Sequence, residues 1–157
     1  MNKIHFLSLL ISISSHSLFA QVIESAEIVV PKKIERFIDG YIQAWSRGDV
    51  KNIMDNVYDV PFSIIDGDST TVFNVSANLE NFLVETFKSL KNQGYGYSKR
   101  NKWERFEDHS DSKIIISSNY SRYLTTGEIM GVKERRATYI IQKNGKGYRI
   151  TQLIPNK

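Results

Sequence analysis

The residues in this chain best suited to chemistry are aromatic side chains that fall on predicted helices and strands. Small-molecule sites are concave, are walled mainly by apolar and aromatic groups, and hold few polar contacts. The residues predicted to line such a site are Tyr41, Trp45, Phe62, Trp103, Tyr120 and Tyr139. Arg122 and Asp66 would supply its polar contacts, and an inward Arg122 could hold an anion by paired hydrogen bonds. The same aromatics could instead pack a core, and a strand arginine could form a surface salt bridge, so both interpretations stay open.

Several other kinds of site are excluded by residue type. The chain has no cysteine, which rules out disulfides, thiolate metal ligands and a cysteine nucleophile. Beyond the N-terminal segment the only histidine is His109, in an acidic turn whose spacing matches no calcium loop, and one histidine does not make a zinc site. A nucleophile elbow and a phosphate-binding glycine loop are also missing from the sequence. We therefore predict neither a metal nor a cofactor.

The N-terminal segment has the order of a secretory signal peptide. Lys3 precedes an apolar stretch from Ile4 to Ile13, and the segment closes on Leu18-Phe19-Ala20. We predict cleavage near Ala20 and a secreted or periplasmic protein. An uncleaved membrane anchor is the alternative, although the apolar run is shorter than the ~20 residues that span a bilayer. No membrane span is predicted after cleavage.

Length and charge limit the classes of partner. We divide the 157 residues into a signal peptide (1–20), an extended lead-in (21–30) and a single domain (31–157). Basic residues number 21 and acidic residues 17, so the charge excess is mild. A basic cluster with Trp103 interleaved could indicate nucleic-acid binding; it comprises Lys99, Arg100, Lys102 and Arg105. The mild excess and the predicted export favour a solvated strand face, so we predict no nucleic-acid partner.

Two amphipathic helices and a strand are encoded between Pro31 and Ile65. The first helix carries apolar residues at i, i+3, i+4 and i+7 spacing; they are Ile34, Phe37, Ile38, Tyr41, Ile42 and Trp45. Pro31 suits its first position, and Gly48 can take the left-handed conformation just past its end. Asp49 then caps a second, shorter helix, which Pro61 is predicted to stop before a strand over 62–65.

The rest of the chain predicts one helix and five strands. A strand over 70–75 precedes a third helix capped by Ser76. Four segments rich in β-branched and aromatic residues then alternate with turn residues, at 95–106, 113–125, 133–143 and 148–154. This order predicts an α+β fold in which a curved antiparallel sheet wraps around the N-terminal helices.

The chain resembles the SnoaL-like, or nuclear transport factor 2-like, family of cone folds. The resemblance covers roughly Pro31 to Ile154. It rests on the element order, on Tyr-x3-Trp-x2-Gly-Asp at Tyr41, Trp45, Gly48 and Asp49, and on the run Asn-Gly-Lys-Gly-Tyr-Arg-Ile that ends at Ile150. The scaffold hosts isomerases, hydrolases, dehydratases, transport adaptors and non-catalytic domains, so the resemblance implies a fold more than an activity.

The family's catalytic groups are only partly present. Tyr41 resembles the tyrosine that donates to the developing enolate oxygen in ketosteroid isomerases, and the resemblance implies Asp66 as the carboxylate base, one position out of register. The second, protonated acid has no counterpart, because that region offers Ala137 and Thr138. The Arg-x-Asp pair of the epoxide-hydrolase branch is also incomplete, since Leu124 follows Arg122 at that spacing. The dehydratases of the fold imply two histidines, and this chain has one in the domain.

Three hypotheses follow from these residues. The favoured one is an exported SnoaL-like domain that binds a small apolar or amphipathic molecule, or a partner surface, without turnover. The alternative is an acid–base enzyme of isomerase, dehydratase or hydrolase type that acts on a small cyclic substrate with Asp66 and Tyr41. The third is an interaction module that forms a homodimer through the open face of its sheet.

Overall fold

The computed structural model describes residues 27–109 and 112–156, with side-chain positions up to residue 155. The predicted signal peptide and its cleavage point lie outside these residues. The elements in chain order are α1 (Lys32–Arg47), α2 (Val50–Asn56), β1 (Tyr58–Asp66), β2 (Ser69–Phe73), α3 (Ser76–Asn92), β3 (Tyr95–His109), β4 (Lys113–Leu124), β5 (Arg135–Asn144) and β6 (Gly147–Asn156). None of the helices described has the length and apolar content needed to cross a bilayer. The predicted order of three helices and six strands is confirmed.

The strands form one sheet in the order β2-β1-β6-β5-β4-β3. Consecutive strands from β3 to β6 pair antiparallel, as the hairpin signals predicted, and β1 pairs antiparallel with β2. The exception is β1 against β6, which are parallel. These two strands are far apart in sequence and no hairpin joins them, so local turn signals do not set their direction. The sheet is therefore mixed, whereas the sequence predicted it as antiparallel.

Irregular pairing accounts for the curvature of the sheet. The register shifts between Tyr58 and Ser63 in β1, at three places in β3, and between Ile140 and Ile141 in β5. An extra residue on one strand bends that strand and increases its local twist. One such shift in β3 coincides with Gly96, where a Cβ atom would lie 2.8 Å from the carbonyl oxygen of Leu124. Gly96 therefore lets β3 approach the end of β4.

The helical hairpin at the N-terminus forms as its apolar pattern predicts. Ile34, Ile38 and Tyr41 of α1 are buried, and the other members of the stripe pack against the same core. Gly48 ends the helix with φ 64°, in the left-handed region that favours glycine. The Asp49 side chain accepts a hydrogen bond from the Asn52 backbone N–H at 3.1 Å and caps α2.

Three boundary predictions are wrong. Pro61 does not stop α2, which ends at Asn56; it lies inside β1, a strand that starts at Tyr58. The β1–β6 register is interrupted between Tyr58 and Ser63, so the missing N–H of Pro61 falls where the ladder is irregular. Pro31 precedes the first helical residue of α1. Ser76 is the first helical residue of α3 and makes no side-chain capping bond.

The core lies between the helices and one face of the sheet. Its fully buried members come from α1, α2, α3 and all the central strands. They include Ile38, Ile53, Leu79, Leu83, Ile116, Ile141 and Ile150. This inner face of the sheet continues past the core toward the second half of α1, where the packing leaves a cavity.

Candidate functional site

A cavity of about 90 Å³ lies between the second half of α1 and the inner face of the sheet. Its walls come from α1 and from the four strands β3 to β6. The lining residues are Tyr41, Ile42, Trp45, Ser98, Tyr120, Arg122, Ala137, Tyr139, Leu153 and Pro155. Tyr41, Ala137 and Tyr139 are buried, and the others are half-buried. The cavity therefore has a closed floor and a partly exposed rim.

Helical and strand periodicities bring these side chains together. Tyr41 and Trp45 are four residues apart, which places them one turn apart on the same face of α1. Tyr120 and Arg122 are two residues apart in β4, so both project from the inner face. Ala137 of β5 pairs with Ser118 of β4, so the Ala137 side chain points to the same inner face of the sheet.

The Ser46 side chain ties α1 to β3 at the edge of the cavity. Its hydroxyl accepts a hydrogen bond from the Ser98 backbone N–H at 3.0 Å. The Ser98 hydroxyl in turn bonds the Tyr95 hydroxyl at 2.7 Å. These contacts hold Ser98 beside Trp45, and the strand register places Ser98 opposite Arg122.

Two buried phenols, Tyr41 and Tyr139, form the floor of the cavity, and a third, Tyr58, lies behind them in the core. The Tyr41 and Tyr58 hydroxyls are hydrogen-bonded at 2.8 Å, and the Tyr41 ring meets the Tyr139 ring edge-on with centroids 5.7 Å apart. Burial, with a smaller contribution from the neighbouring Tyr58 hydroxyl, raises the pKa of Tyr41 well above its usual 10.0. Burial likewise raises the pKa of Tyr58 and of Tyr139. All three phenols are therefore neutral at physiological pH, and can donate hydrogen bonds but not act as bases.

Arg122 supplies the positive charge at the rim. Its guanidinium carbon lies 5.9 Å from the centroid of the Tyr120 ring. Its Nε is buried and has no hydrogen-bond partner, and the side chain forms no ion pair with any other residue that the structure describes. A buried donor without a partner is rare in native proteins. Arg122 can therefore donate a hydrogen bond to an additional anionic or hydrogen-bond-accepting group.

Of the predicted lining residues, five converge on the cavity: Tyr41, Trp45, Tyr120, Arg122 and Tyr139. Phe62 lies in the core instead, 1% exposed and stacked on Tyr58 with ring centroids 4.3 Å apart. Trp103 packs at the edge of the core, with the Arg100 guanidinium 4.0 Å from its ring centroid.

Asp66 lies at the exposed end of β1, where it pairs with Ser69 in the turn to β2. It is not among the residues that line the cavity. The structure therefore does not bring Asp66 and Tyr41 together, and the acid–base alternative lacks its base at this site.

Five lining residues were not singled out from the sequence: Ile42, Ser98, Ala137, Leu153 and Pro155. Ile42 belongs to the predicted stripe of the first helix, and Ala137 was noted only as the residue that replaces an acid. Leu153 and Pro155 reach the cavity because they pair with Tyr139 and Ala137 in the register of β6 against β5, and no local sequence pattern indicates that register. Ser98 is the strand partner of Arg122, and paired residues point to the same face of a sheet, so the register of the β3–β4 hairpin could have indicated Ser98.

Two charged groups that the sequence singled out, Arg100 and His109, lie outside the cavity and are paired. Arg100, a member of the predicted basic cluster, forms ion pairs with two carboxylates of α1, Asp39 at 3.0 Å and Glu35 at 3.3 Å. His109 is exposed, and its Nε2 lies 3.3 Å from a Glu107 carboxylate oxygen. Within residues 27–109 and 112–156, no group of three or more His, Asp or Glu side chains is arranged to hold a metal ion.

Solved structures share the fold at low sequence identity. An NTF2-like protein of unknown function from Shewanella oneidensis MR-1 is 15% identical, with a TM-score of 0.61 over 80% of this chain and 98% of that one. A nuclear transport factor 2 (NTF2-like) superfamily protein from Salmonella enterica serovar Typhimurium LT2 is 12% identical, with a TM-score of 0.57 over 80% and 88%. A ketosteroid isomerase-like protein from Erwinia carotovora atroseptica SCRI1043 is 14% identical, with a TM-score of 0.57 over 78% and 91%. At these identities the likeness establishes the fold alone.

A search of curated protein sequences finds no match. The family model described as "NTF2-like protein (DUF6841)" matches residues 31–157, which include every helix and strand of the structure. The expected resemblance is thereby confirmed, and the chain belongs to this NTF2-like family.

Proposed function

We propose that this protein, once exported, binds a small apolar or amphipathic molecule in the cavity beneath α1, without turning it over. The observation that carries the proposal is the convergence of Tyr41, Trp45, Tyr120 and Tyr139 on one partly open cavity. Aromatic walls with a few placed polar groups are characteristic of small-ligand sites. Arg122 and Ser98 supply the polar groups at the rim.

The volume of the cavity limits the size of the ligand. The volume of about 90 Å³ is smaller than that of an engineered apolar cavity of about 150 Å³ that encloses benzene. A single ring or a short branched chain can therefore enter only in part, and its remaining atoms stay at the half-exposed rim. A fused-ring substrate such as a steroid is too large to be enclosed.

The absence of a base at the cavity supports binding without turnover. A general base must lie within hydrogen-bond reach of the proton that it removes. No Asp, Glu or His is found among the described residues that line the cavity. Burial raises the pKa of Tyr41, so its phenol stays protonated and does not act as a base. These groups can orient a ligand, but they do not supply a proton acceptor.

The two tryptophans of the chain allow a direct test. Trp45 lines the cavity and Trp103 does not, so Trp103→Phe leaves a single fluorophore at the site. We expect small-ring compounds such as benzyl alcohol and benzoate to change Trp45 emission saturably, with Kd in the range of about 10 µM to 1 mM. The matched Trp45→Phe variant, which keeps Trp103, should show no saturable change.

A cavity-filling variant separates site binding from surface binding. Ala137 is 2% exposed and lines the cavity floor, so Ala137→Leu should abolish the titration while circular dichroism shows an intact fold. If no compound gives a saturable change, or if Ala137→Leu binds as wild type does, the proposal fails.

A further inference from the structure

Two arginines, Arg122 and Arg135, project from the inner face of the sheet, and Arg122 lies at the rim of the cavity. Arg122 lines the cavity, and Arg135 stands directly opposite Tyr120 in the β4–β5 register. Arg122 and Arg135 are therefore diagonal neighbours across the two strands, a placement that separates Cβ atoms by about 7 Å. Tyr120 is the strand partner of Arg135, and its ring centroid lies 5.9 Å from the guanidinium carbon of Arg122.

Both guanidinium groups have an unused buried donor. The Nε atoms of Arg122 and Arg135 are buried and have no hydrogen-bond partner. Arg135 makes one weak bond through its NH2 group to the Met130 carbonyl oxygen, at 3.4 Å. Two other arginines that are at least partly buried show the contrast: Arg100 bonds two carboxylates, and Arg149 donates to three backbone carbonyls.

Among the described residues, no acid forms an ion pair with either arginine. Glu134 precedes Arg135 in the chain, but its carboxylate accepts hydrogen bonds from Asn101 and Asn119. Asn119 alternates with Tyr120 in β4, so that network lies on the outer face of the sheet. Neither arginine forms an ion pair with another described residue. An arginine is always charged at physiological pH, and buried charges normally have partners.

We infer that the ligand of the cavity is a small carboxylic acid with an aromatic or branched apolar body, whose carboxylate is held by Arg122 with Arg135 beside it. This inference rests on the proposed function and deepens it. The apolar body enters between Trp45 and Tyr139, and the carboxylate remains at the half-exposed rim. A planar guanidinium matches a planar carboxylate with two parallel hydrogen bonds, which the ammonium of a lysine cannot reproduce.

The experiment compares benzoate with its neutral counterpart benzamide by calorimetry or ligand-observed NMR at neutral pH, on the full folded domain. We expect wild type to prefer benzoate by about tenfold or more, since hydrogen bonds to charged groups carry that order of affinity. Arg122→Met should remove the preference, because benzoate loses at least tenfold more affinity than benzamide does. Arg135→Met should reduce the preference in part.

Two further variants complete the design. Arg136 is the exposed neighbour of Arg135 on the opposite face of β5, so Arg136→Met is the matched control and should bind both probes as wild type does. Arg122→Lys keeps the positive charge but cannot form the two parallel hydrogen bonds, so it should retain only part of the benzoate preference. It replaces Arg122→Met as the test if that variant does not fold.

The outcomes separate this inference from the proposed function. If benzamide binds as well as benzoate, or if the Arg122 variants leave the benzoate preference unchanged, the carboxylate inference is overturned while the small-ligand proposal stands. If neither probe binds wild type, both fail. A preference lost equally in Arg136→Met would show a non-specific charge effect and would also overturn the inference.

Discussion

The hydrogen bond between the Tyr41 and Tyr58 hydroxyls makes a sharp stability prediction. The two oxygens are 2.8 Å apart, and the side chains are 5% and 4% exposed. Removing one hydroxyl leaves the other buried without its partner, which costs about 1 to 3 kcal/mol. Removing both replaces the pair by apolar rings of nearly the same shape, which is close to neutral.

The two single substitutions should differ in magnitude. Tyr41→Phe strands the Tyr58 hydroxyl in the core, away from the cavity lining, so we expect a loss of about 2 kcal/mol. Tyr58→Phe leaves Tyr41, which lines the cavity, where water can bond its hydroxyl; we expect a loss of about 1 kcal/mol. The double variant should lose less than about 1 kcal/mol, so the sum of the single losses exceeds the double loss by about 2 kcal/mol.

Urea denaturation followed by tryptophan fluorescence and by circular dichroism measures these free energies of unfolding. Unchanged m values would show that the variants unfold the same surface. Tyr97→Phe is the matched control, because Tyr97 is 42% exposed and its change should stay within about 0.5 kcal/mol. If the two single losses simply add in the double variant, the hydroxyls do not depend on each other and the reasoning is refuted.

Four further predictions concern stability, export and assembly. Burial raises the pKa of the phenols of Tyr41, Tyr58 and Tyr139 above 10.0, so the folded state keeps protons that the unfolded state releases. The free energy of unfolding is therefore retained below pH 10 and falls above it by about 1.4 kcal/mol per pH unit for each group, which urea titrations from pH 9 to 11 measure. Arg149→Met should lower the free energy of unfolding by about 1.5 to 3 kcal/mol in the same assay, because the buried guanidinium donates to three backbone carbonyls. The control is Arg105→Met at an exposed position, which should change it by less than about 0.5 kcal/mol. A change that small for Arg149→Met would contradict the prediction. N-terminal sequencing of exported protein should begin just after Ala20, and Met1 retained on membrane-bound protein would refute the predicted signal. A homodimer through the sheet stays a prediction, and sedimentation equilibrium at micromolar concentration decides between monomer and dimer.

Local sequence determined the elements of this protein with good accuracy. The apolar stripe of α1, the left-handed Gly48 and the Asp49 cap are all confirmed, because each depends on residues within a few positions of one another. The hairpins from β3 to β6 also follow their turn residues. Local signals are strong where the stabilising contacts are themselves local.

The tertiary structure decided the pairing of distant strands. β1 runs parallel to β6, and Pro61 lies within β1 rather than before it. Both features depend on contacts between residues some ninety positions apart, such as Tyr58 with Ile150. No turn or periodicity encodes such a pairing, because its direction and register are set by which faces the whole chain can bury together.

The candidate site shows the same division. The sequence indicated that aromatic residues and Arg122 could form a site, and the structure brings five of the eight predicted residues to one cavity. It places Phe62 in the core and Asp66 at an exposed turn, although both follow the same strand pattern. Composition and period tell which residues share a face, whereas only the packing of α1 against β3 to β6 determines which part of that face is filled and which part stays open.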